Sequence, residues 1–358
     1  MKAAVWHGKR DIRVEETTAP ERAGPGEVIV EVALCGICGT DLHEYTEGPQ
    51  YIPLEPHPLT GATAPVIMGH ELAGTVVDVG PGVTRVKVGD RVAVNPLQYC
   101  GSCPGCRRHV PAACERLAGM GLQTRWGGFA RYALIKEYQL VPLPEALGFV
   151  HGAVLEPASV ALHAVDQGGV RPGDVVLVTG GGPIGQLVTM AARAAGARAV
   201  YLSEVTPVRQ ELAARNAEPT QVLDPTRVNV PQVLREHTDG AGADVVFECS
   251  ANERAFADAL EATRKGGTMV QVAVFTRAVA LNPAHLTNFE RRIQGTLCYL
   301  PGDFERTLGL MVAGRLPAER VVTSIIDVDD VVERGFDELI RPDTRNAKIL
   351  VRPVPTSS

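Results

Sequence analysis

Four cysteines, Cys100, Cys103, Cys106 and Cys114, stand at spacings of two, two and seven intervening residues. Four thiolates on one short loop can close a tetrahedron around zinc, and Gly101, Pro104 and Gly105 supply the turning that brings them inward. Such an ion has no vacant position, so its role is structural, holding together a lobe of about residues 96–116. An iron–sulfur cluster or disulfides use the same residue type. The first has no redox partner nearby, and the second is disfavoured where thiols stay reduced. A second set of donors is dispersed: Cys38 in CGICGTDLHEY, His70 and Glu71 in GHE after an apolar run, and Glu156 in LEPASVALHAV. Cysteine, histidine and carboxylate drawn from separate stretches, with one position left for water or substrate, form the donor set of a catalytic zinc. Each residue alone is ambiguous, since a buried cysteine is often only a small hydrophobe; Cys35 is read that way.

A third stretch, TGGGPIG at Thr179–Gly185, follows the β-branched run Val175–Val178 and precedes an Ala-rich helical pattern at Gln186–Ala195. Strand, tight turn and helix in that order are the context in which Gly180, Gly182 and Gly185 read as a dinucleotide fingerprint. Gly180 permits the turn, Gly182 lets backbone approach a pyrophosphate, and Gly185 lets the helix lie close on the sheet. Pro183 and Ile184, between the glycines, are counted with them as cofactor-binding residues, and the N-terminus of the following helix faces the phosphates. Glu204 comes 19 residues after Gly185 at the end of a second strand. It is placed to accept both ribose hydroxyls of NAD and to repel the 2′-phosphate of NADP. Arg209, on the next helix after an N-cap Thr206 and Pro207, is a candidate to lie along the adenosine, with a solvated surface arginine as the equal alternative.

The elements that must position these residues fall into two kinds. Up to about residue 150, short strands (Ala3–Trp6, Glu27–Leu34, Gly74–Val79, Arg91–Val94 and Gly128–Leu134) alternate with Gly/Pro turns, as in a partly open barrel or sandwich. From Val175 onward strands and helices alternate, and the apolar strands suit a parallel sheet covered on both faces. The last sixty or so residues break that rhythm, and Ala347–Val351 reads as a strand that rejoins the first lobe. A chain of 358 residues suggests two domains. A net charge of −6 without basic runs excludes a nucleic-acid footprint and leaves a small molecule as the partner. The start, MKAAVWHGKRD, lacks the apolar core of a secretory signal, and no apolar run is long enough to span a membrane; a cytoplasmic location is expected.

These motifs, with HPLTGATAPVIMGHE (57–71) and VGPGV…VKVGDRV (79–92), resemble the zinc-dependent medium-chain dehydrogenases over essentially the whole chain. The segment Glu44–Pro65 is most similar to the branch acting on 2,3-butanediol and acetoin. Polyol (sorbitol-like), L-threonine and general secondary-alcohol dehydrogenases are the alternatives. The resemblance implies an α/β protein: a GroES-like, mostly-β catalytic domain (1–154), a Rossmann-type doubly wound NAD domain (155–292) and a return to the catalytic domain (293–358). It implies two zinc ions per chain, and a homodimer or homotetramer. Cys38 and His70 match ligands of the catalytic zinc. Glu71 and Glu156 are both candidates for its carboxylate ligand, and the choice between them stays open. Thr40 and His43 match a proton relay from the alcohol, by way of the cofactor ribose, to the surface. Hydride would pass from the carbinol carbon to C4 of the nicotinamide. Tyr45, Leu122 and Trp126 are expected as walls of the substrate pocket by their place near these motifs. Asn216 and Ala217 depart from the family, which has an apolar residue and glycine at that helix end. The change costs about 1 kcal/mol if Ala217 is left-handed.

Overall fold

The computed structural model describes residues 1–354. The described chain forms two compact units: Met1–Glu156 with Leu300–Leu308 and residues 322–354, and Pro157–Tyr299 with Gly309–Val321. The return to the first unit therefore begins at Leu300 rather than 293 and is interrupted by thirteen residues, Gly309–Val321, that pack with the second unit.

The second unit is built on six parallel strands in the order Gln221–Leu223, Ala199–Ser203, Val175–Thr179, Ala243–Glu248, Thr263–Gln271 and Arg292–Gly295. All five residues of Val175–Thr179 are buried, as a central strand covered by helices on both faces requires. Strand order reverses beside it, and that switch point is where a doubly wound sheet opens a crevice at its carboxyl edge. The helix there begins at Pro183 rather than Gln186. Proline suits the first helical position because its fixed φ is helical and its missing N–H would have had no partner.

The first unit holds a seven-stranded sheet in the order Leu140–Pro142, Arg91–Val94, Glu71–Val79, Glu27–Gly36, Lys348–Arg352 and Val322–Asp327, with Tyr132–Lys136 also paired to Glu27–Gly36. Its alternating residues Val28, Val30, Val32, Val76 and Val92 close on Phe129 and Phe336 in one core. The strand expected at Gly128–Leu134 starts later, at Tyr132. Gly127 and Gly128 instead press their Cα atoms on the Ile67 and Met68 carbonyls and on the Cys35 side chain, where any Cβ would collide. LEPASVALHAV lies inside one helix, Phe149–Gly168, whose periodicity is masked in the sequence by the internal Pro157.

Register fixes what matters for function. Gly36 pairs with Glu71 on one side and with Leu350 on the other, so three strands meet where acidic and basic side chains turn inward. The helix Pro207–Ala217 ends on Glu218, and the left-handed residue is Glu218 (φ 49°), not Ala217. Arg193 holds that turn through the carbonyls of Ala217 and Glu218, and Asn216 is buried with its amide donated to Gln186. The anticipated cost at Ala217 therefore does not arise.

Gly185 backs directly onto the Gly180 carbonyl, whereas the Cα of Gly182 faces open space at φ −68°. Gly185→Ala should lower the cofactor-free melting temperature by several degrees, since overpacking costs about 1–3 kcal/mol. Gly182→Ala should leave it within a degree or so. Equal melting curves for the two variants would contradict the close packing at Gly185.

Candidate active site

The helix Gly39–Glu47 is capped by the residue that carries the thiol. Asp41 Oδ2 accepts the Cys38 backbone N–H at 2.9 Å, which fixes the direction in which Cys38 projects. Cys38 Sγ lies 3.8 Å from the Thr40 hydroxyl. Thr40 is half-buried and His43, one turn further on, is exposed. His70 follows Gly69, whose positive φ of 97° turns the chain between Cys35 and Phe129. His70 Nδ1 lies 3.4 Å from Asp41 Oδ1, and neither atom has a formed hydrogen bond. Burial opposes a charge on His70, but the Asp41 and Cys38 charges outweigh it and raise its pKa well above the ordinary histidine value.

Glu71 opens its strand opposite Gly36, where a Cβ would strike the Glu71 carboxylate. The Glu71 side chain is fully buried, and Lys348 Nζ donates to both of its oxygens at 2.8 Å and to the Ile37 carbonyl at 2.9 Å. Burial opposes the charge on Lys348 as well; Glu71, then Cys38, then Glu156 face it and raise its pKa above the ordinary lysine value. Lys348 and Asp41 were not singled out from the sequence. A lysine inside the apolar strand Lys348–Arg352 was the available signal, because a lysine there must snorkel or find a buried partner.

Ligand atoms of Cys38, His70 and Glu71 lie within 4.8 Å of one another, a spacing that fits one ion held by sulfur, nitrogen and oxygen. Glu156, buried on the helix Phe149–Gly168, is not a member of that group, although it belongs to the same patch of negative charge around Lys348. The other group is Cys100, Cys103, Cys106 and Cys114, also mutually within 4.8 Å. Sulfur–sulfur distances of 3.5 Å for Cys103 to Cys106 and 3.9 Å for Cys100 to Cys106 are far beyond a disulfide, and all eight cysteines are free. Hydrogen bonds from the Ser102 amide and hydroxyl bring Cys100 down to about 5, while burial and neighbouring thiols push Cys106 up to about 12. Four thiolates crowded this way need a cation before all can ionise, which suits a zinc ion held by sulfur alone.

In the second unit a cavity of about 610 Å³ opens at the switch point, lined by Gly180, Gly182, Glu204, Thr206 and Arg209 among others. Glu204 Oε2 accepts the Gly181 N–H at 2.7 Å and Oε1 accepts the Thr206 N–H at 2.8 Å. The acid thus braces the glycine turn and starts the following helix while it lines the cavity. The Thr206 side chain makes no capping bond. Cys249 also lines the cavity. Two of the expected substrate-pocket walls are core residues: Tyr45 packs edge-on to Phe336 and donates to Asp337, and Leu122 belongs to the main core. Trp126 packs on the small cluster of Ala3, Val5, Ile67 and Ala130, with Arg125 over its ring. Apolar residues beside a motif fill the core more often than they line a pocket, and proximity in sequence could not separate the two.

Residues 24–145 match the alcohol dehydrogenase GroES-like domain, and residues 183–313 match the zinc-binding dehydrogenase family. The chain is 40% identical to the (R,R)-butanediol dehydrogenase of Bacillus subtilis over 99% of its own length and all of that protein. The crystal structure of the 2R,3R-butanediol dehydrogenase from that organism superposes with a TM-score of 0.92, covering 99% of each chain. A structure from Sinorhizobium meliloti, assigned to the zinc-binding dehydrogenases and bound to NADP, superposes at 0.88 with 31% identity, covering 98% of this chain and 99% of that one. A GroES-like unit with a clustered sulfur, nitrogen and oxygen donor set, in one chain with a Rossmann unit, defines an oxidoreductase that exchanges hydride between small alcohols and a dinucleotide. The chain belongs to the zinc-dependent medium-chain dehydrogenase family.

Cys103→Ala should lower the number of tightly held metals per chain by one, counted by mass spectrometry, and lower thermal stability. An unchanged metal count would contradict the assignment of a metal to the four-cysteine lobe.

Proposed function

We propose that the protein is an NAD-linked, zinc-dependent dehydrogenase of vicinal diols and acyloins, with 2,3-butanediol and acetoin as its substrate pair. The reading is carried by the convergence of Cys38, His70 and Glu71 within 4.8 Å, in a chain matched end to end by butanediol dehydrogenases. Cys38, His70 and one of the two carboxylates, Glu71 or Glu156, would hold the catalytic zinc, and the four-cysteine lobe would hold a structural one. The catalytic ion supplies a positive charge beside which an alcohol oxygen gives up its proton and a ketone oxygen is polarised.

The protein's own groups do the rest. The Thr40 hydroxyl both donates and accepts, so it can take the substrate proton and pass it onward, and the exposed His43 one helical turn away delivers it to solvent. The residues Gly180, Gly182, Pro183, Ile184 and Gly185 form the pyrophosphate turn at the helix N-terminus. Glu204 accepts the ribose hydroxyls, and its negative charge disfavours a 2′-phosphate; Arg209 lies along the adenosine. A second polar group on the substrate separates diols from plain alcohols, because a site built to satisfy it penalises a molecule lacking it. Eight free thiols suit a reducing cytoplasm. The outer strand Arg292–Gly295 pairs only with Thr263–Gln271 among the described residues, leaving an edge at which a second copy can add.

A steady-state comparison of butanediol stereoisomers, acetoin, sorbitol, threonine and 2-propanol, each with NAD and NADP, tests the assignment. The highest kcat/KM should fall on butanediol or acetoin with NAD; a preference for sorbitol or threonine would move the protein to the polyol or threonine branch. Glu204→Ala should weaken NAD by about 10- to 100-fold, the value of a hydrogen-bonded charge, and NADP far less. Equal losses for the two cofactors would sink the ribose assignment.

A further inference from the structure

A cavity of about 310 Å³ lies within the second unit and shares no lining residue with the larger one at the switch point. The helices Pro183–Ala194 and Pro207–Ala217 start beside the larger cavity, at Gly182 and Thr206, and finish at this one. At 1.5 Å per residue, the first of them sets the two places about 18 Å apart. The wall carries three guanidiniums, Arg193, Arg315 and Arg320, and one carboxylate, Glu218. Two positive charges are therefore in excess here, in a chain whose net charge is −6.

Capping of the helix ends accounts for part of this arrangement. Arg193 Nη1 donates to the Ala217 and Glu218 carbonyls at 3.1 and 2.7 Å, and Arg315 Nη2 donates to the Ala194 carbonyl. It does not account for the rest. Arg320 Nη1 donates to Glu218 Oε1 at 2.7 Å and caps no helix, and Arg315 pairs with no carboxylate among the described residues. Each guanidinium commits one terminal nitrogen, so more than half of its donors are unspent. Glu218 stands at φ 49°, a left-handed conformation that suits glycine better than an acid. That conformation sets its carboxylate between Arg193 and Arg320, 3.5 and 2.7 Å away, where it holds both forks at the cavity.

We propose that this cavity is a second ligand site, which takes a small anion of two or more negative charges, of the phosphate or carboxylate class. Planar guanidinium forks match such oxyanions through paired N–H bonds, and an excess of two charges calls for a dianion. The volume lies at the small end of ligand pockets, so the occupant is a compact metabolite rather than another nucleotide. Met190 and Pro317 give it an apolar side. Occupancy joins the segment bearing Arg315 and Arg320 to two helix ends and stabilises the folded chain by mass action.

The test is calorimetric titration and thermal unfolding of the full-length holoprotein with inorganic phosphate and, separately, succinate, at an ionic strength held constant with sodium chloride. Both are repeated with saturating NAD and NADP, which occupy the pyrophosphate turn. Wild type should bind one of the two anions saturably and melt at a higher temperature, with or without the dinucleotide; the tighter anion assigns the class. Arg315→Gln and Arg320→Gln should each weaken that binding by about tenfold or more, the worth of a charge-assisted hydrogen bond, and leave the dinucleotide dissociation constant unchanged. If Arg315→Gln unfolds for want of a partner at the Ala194 carbonyl, Arg320→Gln, which gives up only a carboxylate contact, decides alone. No saturable binding of either anion above the chloride control overturns the proposal. Binding that survives the arginine substitutions overturns it too, as does binding that the dinucleotide abolishes, since the anion would then sit at the pyrophosphate turn.

Discussion

The first unit is organised around the burial of opposite charges where three strands meet. Taking a carboxylate and an ammonium out of water costs several kcal/mol per ion, and mutual attraction offsets that only with close geometry and further hydrogen bonds. Glu71 and Lys348 meet both conditions, with two contacts of 2.8 Å and a third to the Ile37 carbonyl. The geometry depends on register. A slip of one residue in Glu71–Val79 or Lys348–Arg352 would turn one charge to the other face and leave its partner alone in the core. Cys38 follows the strand Glu27–Gly36 and His70 leads into Glu71–Val79, so the spacing of these donors is inherited from the same alignment.

Asp41 extends the arrangement outward. One of its carboxylate oxygens caps the helix through the Cys38 amide and the other faces His70. A single fully buried side chain thus orients both the sulfur and the nitrogen donor, the kind of outer support that keeps a metal ligand set in place. In the second unit Glu204 has a comparable double duty, bracing the glycine turn from one side while lining the cavity on the other.

Much of this was legible in the sequence because the signals are local. The β-branched strand before TGGGPIG, the thiol spacing at Cys100–Cys114 and the proline after Thr206 each encode their own geometry within a few residues. What was not legible depends on partners distant in the chain. Nothing near Lys348 announces Glu71, and nothing near Tyr45 shows that Asp337 and Phe336 claim its hydroxyl and ring. The helix Phe149–Gly168 was hidden by Pro157, and the strand placed at Gly128 was displaced because adjacent backbone leaves no room for side chains there. Glu218 shows the same limit: its left-handed turn is secured by Arg193 and Arg320, and residue preference alone favours glycine.

The closing strand also sets an order of events during biosynthesis. Glu71 and Lys348 are separated by 277 positions, so at about 5–20 residues per second the ribosome needs on the order of 14–55 s to deliver the second after the first. Throughout that interval the nascent barrel presents an acid without its cation and a sheet edge without its neighbour. Capture of the ion in its finished setting, and protection of that edge from other chains, are therefore late steps in the life of the polypeptide.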